Sequence, residues 1–371
     1  MKFLLRLFLL LIIAAAAAAA WLWYGITQPY GSFPAEGTFV EIPHGASSRG
    51  VARILEKNGV VRSSLAFEFY ARRHPRRNLQ AGEYLFNQPI TGKDVFWKIA
   101  KGDVYEQPFT VREGETMFDI AHELEAAKFV AADDFLKVAS DGELIRDIAP
   151  QAKTLEGFLF PATYHLSRHP AATELASEMT HKFKEEWKRL TIASAPAGGT
   201  ETLNASQPAM IISTVTLASL VERETPRPEE RPLVAGAFEN RLRKGMPLQC
   251  DPTVIYALEQ IGQYNGTLTG KDLHFDSPYN TYQHTGLPPG PVGNPGEASL
   301  LAALHPAETD YLYFVANTHG GHFFSATLAE HNKNVVKYRR LLAGLPAEAD
   351  PPPAPVSAVK PKKKHHKGAA R

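Results

Sequence analysis

Cysteine is nearly missing from this chain: Cys250 stands alone among 371 residues. No intramolecular disulfide can form and no CxxC metal site exists. The lone thiol is expected to pack as a small hydrophobe. Net charge is lacking too. The chain has 40 Lys and Arg against 39 Asp and Glu, a formal charge of +1, so no whole-chain field favours nucleic acid. His319 and His322 in THGGHFF have ligand-like spacing, but no Cys or carboxylate cluster completes a site. No metal and no cofactor are expected. What is present is ordinary globular material, 44% hydrophobic and 21% charged, enough to bury a core. The length suggests two or three units.

Lys2 and Arg6 precede an uncharged run from Leu7 to beyond Tyr24. Eighteen helical residues reach about 27 Å, roughly the hydrocarbon thickness of a bilayer. The Ala14 to Ala20 run offers a signal-peptidase site. The length of the apolar run and the belt of Trp21, Trp23 and Tyr24 favour a retained anchor instead. Basic residues before the span orient the remainder outward. The expectation is a single-pass inner-membrane protein whose catalytic domain is periplasmic.

Tyr30 to Gly37 reads as a short linker. Beyond it, Ile42, Gly45, Val51, Ala52, Leu55, Glu56 and Val60 recur at constant offset as Val111, Gly114, Ile120, Ala121, Leu124, Glu125 and Phe129. Each copy reads as strand, turn and helix. The aromatic stretch LEGFLFPATYHL (Leu155 to Leu166) follows. After it comes an amphipathic helix with Leu175, Met179, Phe183, Trp187 and Leu190 on its core face. Ser194 to Pro208 reads as an exposed loop, and the chain past Leu345 as a disordered tail, basic from Lys360.

LASLVERET (Leu217 to Thr225) ends an apolar helix. By helical rotation Ile211, Val215 and Ala218 share the face of Glu222, while Glu224 points about 200° away. An apolar face raises a carboxyl pKa, as a general acid requires. Ala218 and Ser219 would leave room for a sugar. A core glutamate paired with Arg223 or Arg241 is the structural alternative. Two loops follow, NRLRKGMPLQCDPTVIYAL and SPYNTYQHTGLPPGPVGNPG. They offer Gln249, Asp251, Tyr279, Asn280, Thr281 and Tyr282, a mixture of rings, amides and hydroxyls suited to sugars. The Pro/Gly turns from Gly286 to Gly296 read mainly as structure.

These motifs, in this order, resemble the YceG-like endolytic murein transglycosylases, membrane-anchored enzymes that cut peptidoglycan glycan strands. Phe109 to Val130 resembles a LysM peptidoglycan-binding module. The resemblance implies an α+β fold: a transmembrane helix, small LysM-like βα modules and a mixed α+β catalytic domain. The expected divisions are an anchor over 1–28, modules over 38–106 and 107–145, a catalytic domain over 150–345 and a tail over 346–371. Glu222 becomes the implied catalytic residue. Gln249, Asp251, Tyr279, Asn280, Thr281 and Tyr282 become substrate contacts. Two positions depart from the family pattern: Ala162 stands where an acid is usual, and Cys250 where Ser or Thr is.

The implied reaction cleaves MurNAc–GlcNAc bonds of nascent strands with 1,6-anhydroMurNAc formation, ending glycan elongation. One carboxyl serves as acid and then as base. The partners implied are glycan strands, the membrane through the N-terminal helix and, as a candidate, peptidoglycan synthases. A hydrolytic muramidase and a noncatalytic wall-binding scaffold are the competing readings.

Overall fold

The computed structural model describes residues 2–193 and 208–345. Most of the loop expected from Ser194 to Pro208, and the tail, lie outside them. The chain mixes helices with short strand pairs, as an α+β reading requires. Packing divides it into Met1–Asp147 with Lys153–Glu185, and Ile148–Ala152 with Glu186–Arg371.

In the first unit, helix α1 (Lys2–Thr27) contains one segment, Phe3–Thr27, long and apolar enough to cross a membrane. Most of its large side chains face outward, Phe3, Leu4 and Leu5 among them. Its last turn behaves differently. Ile26 is 6% exposed and belongs to the core of the first module, and a Cβ on Gly25 would lie 3.2 Å from that of Ala66. Tyr30 then exchanges backbone hydrogen bonds with Ile90 at 3.0 and 3.1 Å. The stretch expected to be a linker is therefore pinned where it begins.

The repeat is real in three dimensions. Strand β1 (Thr38–Ile42) leads into α2 (Ser48–Lys57) and α3 (Ser64–Arg72). Its antiparallel partner β2 (Gly82–Phe86) and α4 (Gly92–Lys101) close the module. In the second copy, β3 (Gln107–Thr110) leads into α5 (Met117–Ala126) and α6 (Ala132–Ala139). The recurring apolar residues are buried in both copies. The recurring acids play the same part. Glu56 accepts from Ser64 N and Glu125 from Ala132 N, each capping the next helix. Even the turn after the first helix repeats, with Gly59 at φ 69° and Lys128 at φ 62°.

The second copy is closed by β4 (Thr163–Leu166), antiparallel to β3. That strand comes from beyond residue 150, so LEGFLFPATYHL belongs to the first unit. Tyr84 and Tyr164 hold matching places in the two pairs, opposite Val40 and Phe109. Each phenol donates to the carbonyl four residues back. Glu156, 1% exposed, accepts from Met117 N through both oxygens and so caps α5. Helix α7 (Ala172–Ala193) follows, with Leu175, Met179, Phe183, Trp187 and Leu190 buried as its spacing predicts.

The second unit is built on α8 (Pro208–Glu224). Against it pack α9 (Arg231–Arg243), α10 (Asp251–Glu259) and α11 (Glu297–Leu304). An antiparallel hairpin, β5 (Tyr313–Ala316) with β6 (His322–Ser325), carries α12 (Leu328–Leu342). Val215, Ala218, Leu220 and Val221 of α8 are buried, as are Val234 and Phe238 of α9, Val254 of α10 and Leu300 of α11. α9 approaches the 307 backbone closely because residue 236 is glycine: a Cβ there would sit 2.4 Å from Ala307 O.

Candidate active site

α8 delivers the two acids of LASLVERET to different surroundings. Glu222 Oε1 receives the Arg231 guanidinium at 2.7 Å, and Oε2 the amide of Gly296 at 2.9 Å. The two side chains are only 4% and 6% exposed. The partner is Arg231, not the Arg223 or Arg241 considered from sequence. Arg223 instead donates to Val292 O at 2.7 Å. Arg241 clamps the carbonyls of Leu312 and Leu248. Ala218 and Ser219 make room for protein backbone rather than for a sugar. Both are fully buried, and Val292 N donates to Ser219 Oγ at 3.1 Å. The turn over residues 291–296 is closed onto this side of the helix.

Over the whole residue Glu224 is half-buried, as Glu222 is, and it faces the loop motifs. Cys250 Sγ donates to its Oε1 at 3.0 Å. Burial raises the Glu224 carboxyl above the usual carboxylate range. The charge of Asp251 pushes the same way, while the Cys250 hydrogen bond, His322 and Arg241 oppose it. The Cys250 thiol is itself pushed well up by burial and by Glu224, so it remains a protonated donor. Asp251 is exposed and accepts from the Tyr282 phenol at 2.6 Å. Burial, then this bond, raises the Tyr282 phenol.

The residues expected to grip substrate separate into two sets. Gln249, Asp251 and Tyr282 gather with Glu224. Gln249 is exposed, its backbone held at φ 50°, and its N–H donates to Thr281 O at 3.1 Å. Asn280 and Thr281, 0% and 2% exposed, are occupied in holding the loops. Asn280 Nδ2 donates to the carbonyls of Leu273 and Phe275, and its Oδ1 accepts from Tyr282 N. Thr281 Oγ1 accepts from Cys250 N at 3.0 Å and meets Thr253 Oγ1 at 3.0 Å. Tyr279 is half-buried, its ring 5.0 Å from that of Tyr256.

Sequence reasoning missed a third acid. Glu230 Oε2 lies 2.7 Å from His322 Nδ1, and its Oε1 accepts from His322 N. A Cβ on Gly321 would collide with that carboxylate. The GGHFF motif is thus a clasp between β6 and the turn before α9. Among the described residues, no group of three or more His, Cys, Asp and Glu is placed to hold a metal ion.

The site lies inside a segment that matches known proteins. Residues 40–337 match the model of the YceG-like family. An endolytic murein transglycosylase of Bacillus subtilis (strain 168) is 34% identical over 322 residues, covering 81% of this chain and 84% of the relative. One from Streptococcus pneumoniae (strain ATCC BAA-255 / R6) is 31% identical over 329 residues, covering 81% of this chain but 58% of that longer protein. The crystal structure of a YceG-like protein from Listeria monocytogenes superposes with a TM-score of 0.53 at 33% identity. It covers 80% of this chain and 98% of that one.

Proposed function

We propose, from the premise that the chain belongs to the YceG-like family, that it is a lytic transglycosylase cutting peptidoglycan strands internally. Curated relatives bearing that name support the reaction class. The observation that supports the chemistry is the place of the Glu224 carboxyl at the meeting of the two loops, where Cys250 donates to it and burial, with the charge of Asp251, raises it. The motif assigns the catalytic role to Glu222. The packing favours Glu224, because both Glu222 oxygens already accept from Arg231 and Gly296. Both Glu222 oxygens are thus turned to Arg231 and Gly296, whereas Glu224 faces Cys250 and the loop that carries Asp251.

In the proposed reaction, Glu224 gives its proton to the bridging oxygen as the bond from that oxygen to the MurNAc anomeric carbon breaks. The hydroxyl on carbon 6 of the same sugar attacks the anomeric carbon, and its proton passes to the Glu224 carboxylate. The enzyme is regenerated, a 1,6-anhydro ring closes and no water is consumed. The charge of Asp251 pushes the Glu224 carboxyl up and would offset the positive charge that develops at the anomeric carbon. The Tyr282 phenol fixes Asp251, and Gln249 extends the polar surface.

α1 is proposed to hold the enzyme in the inner membrane, with Lys2 and Arg6 on the cytoplasmic side. The substrate would then be nascent strands near the bilayer, and cutting them would end elongation beside the synthases that make them. Mass spectrometry of digested glycan is the test: anhydro ends weigh one water less than reducing ends. Reducing ends alone would make the enzyme a hydrolase and overturn the ring-closing step.

A further inference from the structure

The first module carries exposed basic and apolar groups beside the C-terminal end of α1, and the proposed chemistry of glycan cutting uses none of them. On α3, Leu65 and Phe69 are 64% and 43% exposed. They stand one turn apart on one face. Arg73 lies over the Phe69 ring at 4.6 Å, and Arg77 over Trp97 at 5.6 Å. Arg62 lies over Tyr24 at 5.2 Å and Tyr30 at 4.7 Å. Arg76 is exposed beside them. The one acid between Arg62 and Arg77 is Glu68, and it is already taken by Arg49 and Arg72.

Depth follows from the joint with α1. Gly25 meets Ala66, the neighbour of Leu65, and lies about 6 Å along the helix axis from Trp21. Trp21, Trp23 and Tyr24 are the rings that settle at headgroup depth. A helix fixed to that level, with exposed Leu and Phe and unneutralised arginines, matches an interfacial surface.

We propose that the α3 face rests on the bilayer, with Leu65 and Phe69 in the interfacial layer and Arg62, Arg73, Arg76 and Arg77 on anionic lipid headgroups. This rests on α1 spanning the membrane. The occupant is a lipid surface because the patch continues directly from that helix and its charge complements phosphate.

The test uses the full chain in nanodiscs, with Cys250→Ser and a single new cysteine carrying an environment-sensitive fluorophore. A probe at Leu10 reports the span, and a probe at Phe69 reports the surface. The Phe69 probe is expected to shift to the blue in phosphatidylglycerol discs and to be quenched by spin-labelled lipid. Both effects should be lost with Arg73→Glu, Arg76→Glu and Arg77→Glu combined. If the Leu10 probe is quenched but the Phe69 probe stays water-like, the proposal fails with the span intact. An equal shift in uncharged phosphatidylcholine discs overturns it as a charge-reading surface. If neither probe meets lipid, the span reading fails first and takes this proposal with it.

Discussion

Glu222 and Glu224 differ by two positions and about 200° of helix. That rotation turns Glu222 to Arg231 and Gly296 and Glu224 to Cys250. Folding raises the Glu224 carboxyl, so the native state opposes its ionisation and the unfolded chain does not. Its contribution to stability is present below the unfolded carboxylate range and is lost as pH rises through the raised folded value. Glu224→Gln is therefore expected to raise Tm at pH 8 while lowering turnover by about 10²–10⁴-fold. Glu222→Gln removes the negative partner of a buried arginine and is expected to cost about 3–5 kcal/mol of stability. Thermal melts and turnover on the two variants check both. A stable, inactive Glu222 variant beside an active Glu224 variant would return the catalytic role to Glu222.

Cys250 gives the second prediction at this scale. A thiol is a weak donor and a hydroxyl a stronger one, so Cys250→Thr should lower the Glu224 pKa. The alkaline limb of kcat/KM, where the acid loses its proton, is expected to move to lower pH. An unmoved limb would detach Cys250 from the chemistry. The helix and its two acids were legible in LASLVERET. Which side the loops would close upon was not, because the contacts of Cys250, Val292 and Gly296 with α8 join residues far apart in the chain.

At the scale of elements, α9 depends on a glycine that its sequence does not advertise. Gly236 sits mid-helix, where glycine is normally a cost, and the return is close contact with the 307 backbone. Gly236→Ala should gain helix propensity yet lose about 1–3 kcal/mol through the forced separation, measured by chemical denaturation. A stabilised variant would mean that the backbone yields. Strand, turn and helix of both repeats were readable because the apolar spacing is shared. Their closing strands were not, because β2 and β4 follow different lengths of chain. Glu156 shows the same limit: nothing in LEGFLFPATYHL marks it as the residue that caps α5.

For the whole molecule, composition excluded more than it identified. One cysteine and near-zero charge removed disulfides, thiolate metal clusters and nucleic acid from the search. The long motifs carried the family, and the match over residues 40–337 confirms it. Since the proposed reaction needs only a proton shuttle, exhaustive dialysis against a chelator is expected to leave turnover unchanged. Loss restored by zinc would direct attention to His319 and His322.

The burial of Ile26 in the first module's core, with Tyr30 bonded to Ile90, makes the joint between α1 and that module a weld and not a hinge. A transmembrane helix answers a change in bilayer thickness by tilting. With no slack at the joint, a tilt of the proposed span would turn the first module with it, and the lipid environment would set the pitch at which the module stands over the membrane.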